Sequence, residues 1–296
     1  MTDKPELIPL QDLDRTNPMI WQGEEPAQGV FLDTGAPGDA LDLLGTPSLR
    51  APEAPRLPAD FTPAPALRRT LQDLRATLGR AADEQLFGQR VDATHLDQAS
   101  REALPLLLGS GEVNGRVALD GVNYEITEAV MTGVWHVHGS DGSEWLEVSP
   151  VPDVIKRAAA SLRPAPVPLP DSMPGVMNGL AVLAEVNEHA AGWDDSPEHN
   201  RVLNFTLMPM SPQDQQLLLD VLGRADLVLN SGGFGKCQVM ATTVRHVWAV
   251  QYLNAMDNTI LDTLEVGRVP DAAVAAPEDF EDSARRFDVI LETYLS

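Results

Sequence analysis

The sequence predicts an α+β protein: two tandem repeats, each a helix, an antiparallel β-meander and a helix, behind a proline-rich N-terminal arm. Three observations predict it. First, residues 223–271 hold apolar, β-branched runs separated by a Gly-rich turn and an Asn/Asp turn, which is the pattern of a β-meander. Second, an upstream stretch matches that one. Leu146-Glu147-Val148 with Val151-Pro152-Asp153 matches Leu264-Glu265-Val266 with Val269-Pro270-Asp271, and Val134-Trp135-x-Val137 matches Val247-Trp248-x-Val250. The offset is 114 residues at the start, 113 at the tryptophans and 118 at the Leu-Glu-Val motif, a drift that falls in turns, where insertions cost little. Two copies of this length indicate a duplicated unit rather than a solenoid. Third, helical periodicity flanks both meanders.

The expected division is an acidic arm over residues 1–65, a first repeat over 66–163, a Pro-rich linker over 164–174 and a second repeat over 175–296. The arm holds eleven of the twenty-four prolines, which disfavours regular structure. It is expected to be partly extended or disordered, with apolar pieces such as Met19-Ile20-Trp21 able to lie on the folded body or on a partner. From residue 66 to 80, Leu67, Leu71, Leu74 and Leu78 share one helical face. A second helix spans about 97–108, with Thr94 and Asp97 resembling a capping box and Pro105 placed to kink the helix or end its regular part. The first meander is expected over 113–119, 122–137 and 145–151, and a helix over 154–162. In the second repeat a helix is expected at 175–191 and a strand at 202–208. Ser211-Pro212-x-Asp214 is a strong helix start, with Ser as N-cap, Pro at N1 and an acid at N3. After the second meander, Phe280, Ala284, Phe287, Leu291 and Tyr294 form an apolar stripe on the last helix, so that helix must pack on something.

Composition excludes several functions. Lys and Arg number 21 against 44 Asp and Glu, a formal charge of −23 with a pI near 4.4. Such a chain is expected to be soluble and to repel nucleic acid and anionic membranes. One cysteine rules out an internal disulfide framework and suits a reducing cytoplasm, the expected location. No apolar run reaches membrane-spanning length, and residues 1–14 lack the pattern of a signal peptide.

Few residues invite chemistry. Ser231-Gly232-Gly233-Phe234-Gly235-Lys236-Cys237 lacks the Walker spacing, and a strand rather than a helix follows it. It is a tight turn, or a binding loop that presents Cys237. Cys237 is either a small buried hydrophobe or a thiol acidified by Lys236 where both are exposed. His136 and His138 share one strand face, but no second pair stands at a metal-binding spacing. Cys237 and His246 would converge only through a bulge or turn. Trp135 and Trp248 occupy equivalent places and are expected in the core. Glu147 and Glu265 are also equivalent, expected to face solvent or the repeat interface in an architectural role.

At this point the second copy resembles the HupH/HyaF family of hydrogenase expression and maturation proteins, over about residues 66–294 and most clearly over 202–287. Family members typically have Gly-Tyr-Gly-Asn-Cys-Arg-Ile; this chain has Gly233-Phe234-Gly235-Lys236-Cys237-Gln238-Val239. Where members often have Asn-Val-Trp-Trp-Val-Gln-Tyr, this chain has His246-Val247-Trp248-Ala249-Val250-Gln251-Tyr252. The resemblance implies a cytoplasmic accessory protein for maturing a membrane-bound uptake [NiFe] hydrogenase, a chaperone or scaffold for a subunit precursor or its cofactor. Its implied partners are the small or large subunit precursor and other hydrogenase accessory proteins, with no nucleic acid and no membrane insertion. The expected contact residues are Gly233, Phe234, Gly235, Lys236, Cys237, His246, Trp248 and Gln251. No catalytic residue, metal ligand or cofactor is assigned. The alternative is a metal or metal-fragment carrier using Cys237 with a nearby histidine; an enzyme ranks last.

Overall fold

The computed structural model describes residues 57, 61–171, 173–193, 199–232 and 235–295. Most of the expected arm, together with Gly233 and Phe234, lies outside them.

Helix α1 (Pro65–Glu84) opens on a proline at its first position and buries Leu67, Leu71, Leu74 and Leu78, the predicted stripe. Strand β1 (Gln89–Asp92) follows, too short to carry a readable alternation. Helix α2 (Gln98–Leu108) is capped by Asp97, whose carboxylate accepts the Ser100 N–H at 2.8 Å. Thr94 is not part of the cap, because its hydroxyl is turned to Asp92. Pro105 does not end the helix: it sits in the last turn, where it forfeits a single ladder bond, and the helix continues to Leu108.

The first meander has four strands, β2 (Val113–Leu119), β3 (Val122–Glu128), β4 (Val134–Gly139) and β5 (Glu144–Val148). The run expected over 122–137 breaks at a turn in which Gly133 takes φ 80°, a value open to glycine. Helix α3 (Asp153–Ser161) then closes the first half.

The second half runs α4 (Gly179–Ala191), β6 (Arg201–Asn204), α5 (Pro212–Leu222), β7 (Leu227–Ser231), β8 (Lys236–Ala241), β9 (Val247–Leu253), β10 (Thr259–Val266), a 3-10 turn (Asp271–Ala273) and α6 (Asp279–Leu295). The α5 start behaves as its sequence predicts, with a reciprocal Ser211–Asp214 capping box. Asp214 also reaches beyond its own helix. Its Oδ1 accepts the N–H groups of Met177, Asn178 and Gly179 at 2.8, 3.0 and 2.7 Å, which ties the start of α4 to the start of α5. Burial opposes ionisation of this carboxyl, but the converging backbone donors prevail and hold its pKa below the ordinary value.

All ten strands form one antiparallel sheet in the order β1-β5-β4-β3-β2-β7-β8-β9-β10-β6. β2 pairs β7 directly, so the two meanders share one continuous ladder. In the middle of that ladder Gly115 stands opposite Leu229. Each half is built as helix, strand, helix and four-stranded meander rather than as helix, meander and helix. Only the first ends in a full helix at the equivalent place; the second has the 3-10 turn there.

The sheet is covered unequally. On one face α1, α2 and α6 bury Val134, Leu146 and Val148 at one end, while α4 and α5 bury Val247, Ala249, Leu264 and Val266 at the other. On the opposite face α3 and the 3-10 turn seal a third core around Val117, Trp135, Leu229, Val239 and Trp248. The last helix crosses between the halves. Phe280, Ala284 and Phe287 of α6 enter the core of α1, and Arg75 Nη2 donates to Asp288 Oδ2 at 2.8 Å. No helix among the described residues is long and apolar enough to cross a membrane.

Candidate functional site

Strand alternation decides where each expected contact residue points. On β8, Cys237, Val239 and Ala241 face the α3 side and are buried. Cys237 is thus not presented by the Gly-rich turn. Burial pushes its thiol up to about 12, and a hydrogen bond with Tyr252, its partner across the β8–β9 ladder, offsets only part of that rise. Such a thiol is neither a nucleophile nor a ready ligand at neutral pH.

Trp248 lies in the same core, and its Nε1 donates to the Gly267 carbonyl at 3.2 Å. Trp135 repeats the arrangement, donating to the Ser149 carbonyl at 2.7 Å. Both indoles are framework groups that fasten one meander strand to the end of the next.

His246 stands at the opposite end of β9 from the Gly-rich turn. Lys236 is opposite Leu253 and Ala241 opposite Trp248, so His246 is roughly 20 Å along the strand from Cys237 at ~3.3 Å per residue. The two do not converge. His246 takes φ 66°, and its carbonyl accepts the Gly267 N–H at 2.7 Å. Gly133 fills the equivalent place before β4, with φ 80°, and its carbonyl accepts the Ser149 N–H at 3.0 Å. What this position needs is a left-handed backbone; the His246 ring rests against Trp193, centroids 5.8 Å apart.

His136 and His138 share a face as expected, but it is the face away from Cys237. His136 Nε2 lies 2.8 Å from Glu144 Oε1, and Arg101 lies 3.5 Å from the other oxygen of that carboxylate. Among the described residues no three His, Cys, Asp or Glu side chains are grouped as a metal site.

Glu147 does not reach solvent. It is fully buried and accepts from the Asp153 N–H at 2.7 Å and from Ser149 Oγ, Trp145 Nε1 and Arg90 Nε at 3.2 Å each, so it caps α3 from beneath. Glu265 is half-buried. Burial raises its pKa, the amide of Asn200 at 3.1 Å lowers it, and Asp271 raises it further.

Lys236 and Gln251 point to the other side of the sheet, and Lys236 Nζ donates to Asp257 Oδ1 of the β9–β10 turn at 2.6 Å. There they meet residues that the sequence reading passed over. Thr127, Asn114, Asn230, Gln238, Gln251 and Asp262 stand in one register row across six strands. Amide hydrogen bonds link its members: Asn230 Nδ2 to Asn114 Oδ1 at 3.3 Å, Gln238 Nε2 to Asn230 Oδ1 at 3.1 Å, and Gln251 Nε2 to Asp262 Oδ1 at 3.5 Å. The signal available in the sequence was a single Asn or Gln in each of β2, β7, β8 and β9, of which Asn in particular is disfavoured in strands.

Known proteins place the chain. Residues 176–294 match the family model described as HupH hydrogenase expression protein, C-terminal conserved region. The hydrogenase expression/formation protein HupH of Rhizobium leguminosarum bv. viciae is 42% identical over 214 residues, which cover 70% of this chain and 75% of that one. HoxQ of Cupriavidus necator, also a hydrogenase expression/formation protein, is 34% identical over 90% of this chain and 97% of its own length. The hydrogenase-1 operon protein HyaF of Escherichia coli K12 is 31% identical over 68% of this chain and 72% of its own. On these matches the chain belongs to the HupH/HoxQ/HyaF family of hydrogenase expression/formation proteins.

Proposed function

We propose that this protein is an accessory factor in the maturation of an uptake [NiFe] hydrogenase, and that it holds a subunit precursor rather than transforming it. The observation that carries this reading is the near full-length match to a hydrogenase expression/formation protein, 34% identical over 90% of the chain. In this reading the two halves are copies of one unit that turn equivalent surfaces toward a single client. The matching Trp135 and Trp248 anchors support the duplication. Of the expected contact residues, Lys236 lies on the client side in this reading, Gln251 is buried beneath that side, Cys237 and Trp248 support the sheet from the other, and Gly233 and Phe234 lie outside the described residues. Burial of Cys237, with its pKa near 12, and its separation from His246 weigh against the metal-carrier alternative. The test is affinity purification of the tagged protein from hydrogenase-producing cells. A hydrogenase subunit precursor is expected to co-purify, and the subunit recovered assigns the step. Recovery of the folded, abundant protein with no subunit or accessory factor would remove the holding role.

A further inference from the structure

Glu147 and Glu265 stand at the same place in the two halves, each opposite an edge strand of the sheet: Arg90 of β1 faces Glu147, and Val202 of β6 faces Glu265. The Glu147 carboxylate is fully supplied. It accepts from Arg90 Nε, Trp145 Nε1, Ser149 Oγ and the Asp153 N–H, and the Arg90 guanidinium lies over the Trp145 ring, 4.6 Å from its centroid. In the second half each of these donors is lost. Val202 stands for Arg90, Thr263 for Trp145 and Gly267 for Ser149. The Thr263 hydroxyl donates to the Val250 carbonyl at 3.2 Å, and Asp271, the counterpart of Asp153, opens a 3-10 turn instead of a helix. Among the described residues Glu265 accepts one hydrogen bond, from Asn200 Nδ2 at 3.1 Å, and the same nitrogen also donates to the Arg268 carbonyl.

Glu265 is thus a half-buried carboxylate at a place its counterpart fills with a guanidinium. Burial and the nearby Asp271 both disfavour its charge. The arginines that flank it in sequence are engaged elsewhere, Arg201 with Glu185 and Arg268 with Asp271. Val202 is 48% exposed, so the space that the Arg90 side chain takes in the first half is open beside Glu265. The backbone there is also unpaired. β6 is the last strand of the sheet, and the Phe205 N–H bonds the Asp262 carbonyl at 2.9 Å. The alternation of an antiparallel ladder then points the main-chain groups of Val202 away from β10. An open strand edge beside an undersupplied carboxylate fits an extended polypeptide that carries a cation. Arginine fits better than lysine, because its fork sets two donors on one carboxylate while its methylene stem covers Val202. We propose that Glu265 binds an arginine side chain of an extended client segment laid along β6, in the place that Arg90 takes against Glu147. The proposal rests on the client-holding reading above. It adds to the Lys236 side a contact on the opposite face, which one client reaches round β6 because no strand lies beyond it.

The test uses full-length protein and tiled 15-residue peptides spanning both hydrogenase subunit precursors and residues 1–56 of this chain, read by fluorescence anisotropy. One or a few arginine-containing precursor peptides are expected to bind. Replacing the arginine by citrulline, which keeps the shape and removes the charge, is expected to weaken them at least tenfold. Glu265→Gln keeps an acceptor for Asn200 and is expected to weaken the arginine peptide by a similar factor, to bind the citrulline peptide as the parent does, and to melt no lower than the parent. Asp120→Asn makes the same change of net charge beside Arg157 and is expected to bind as the parent does. Equal binding of the arginine peptide by Glu265→Gln and the parent, or no precursor peptide bound by the parent, would overturn the proposal. Binding confined to peptides from residues 1–56 would show that the chain's own arm is the occupant and refute it. A dimer in light scattering that Glu265→Gln dissociates would refute it in favour of a second copy. If the intact precursor co-purifies equally with Glu265→Gln and with the parent, the edge site fails while the accessory role stands. If it co-purifies with neither protein, the accessory role itself fails.

Discussion

Gly115 offers the most direct test of how the halves are joined. It sits on β2 opposite Leu229 of β7, in the ladder that makes ten strands one sheet. A Cβ at position 115 would lie 2.6 Å from Leu229 Cδ2 and closer still to the Val228 carbonyl oxygen. The Leu229 side chain has nowhere to retreat, being fully buried in the core under α3, and the Val228 oxygen belongs to the ladder itself. Overpacking of this kind costs ~1–3 kcal/mol, while replacing a strand glycine by alanine returns ~0.5–1 kcal/mol from the unfolded chain. Gly115→Ala is therefore expected to be destabilised by ~1–2 kcal/mol, a urea midpoint lower by roughly 0.5 M at a slope of ~3 kcal/mol/M. Gly79→Ala in α1 is the matched control. Its Cβ would meet Arg75 Nη1 at 3.0 Å, on a guanidinium held by Asp288, so the ~0.5–1 kcal/mol gained from the better helix former is expected to be partly offset, leaving stability near that of the parent. Hydrogen exchange should locate the Gly115→Ala damage in the β2 and β7 amides. A Gly115→Ala protein as stable as the parent, with unchanged exchange there, would refute a tightly closed β2–β7 seam.

Three further outcomes follow from single residues. Burial raises the Glu128 carboxyl from 4.5 to about 7 against the Gly133 N–H, so its contribution to stability is full below pH ~4.5 and is lost as pH rises through 7. That loss is on the order of 3 kcal/mol at ~1.4 kcal/mol per pH unit, and Glu128→Gln is expected to flatten it in denaturation series at pH 5 and 8; an unchanged slope would count against it. Cys237 is expected to resist a thiol reagent in the native protein and to react fully in denaturant, with Cys237→Ala still supporting hydrogenase maturation; rapid native labelling would contradict the burial. His246→Asn, which keeps the left-handed turn, is expected to match the parent or gain up to ~1 kcal/mol, whereas His246→Val should lose ~1–2 kcal/mol; a costly Asn variant would shift the weight to the Trp193 contact.

Helix positions were legible in the sequence because a 3.6-residue period survives without knowledge of the neighbours. The α1 leucines, the Ser211–Asp214 box and the α6 stripe were all readable, each governed by contacts within a few residues. The turn at 129–133 and strand β1 were not, because one glycine φ or four residues leave too weak a periodic signal. Family membership was also readable, from the motif around Cys237 and Trp248. The orientation of those motif residues was not. A strand reverses its side chains at every step, so which side of the sheet Cys237 takes depends on which face α3 covers, and only packing fixes that. In the same way, sequence showed that α6 needed a partner, but the partner is α1, more than two hundred residues earlier. The amide row is the clearest case. Its members come from separate strands that only the β2–β7 ladder and its neighbours bring into register, so it exists in the folded sheet and nowhere along the chain.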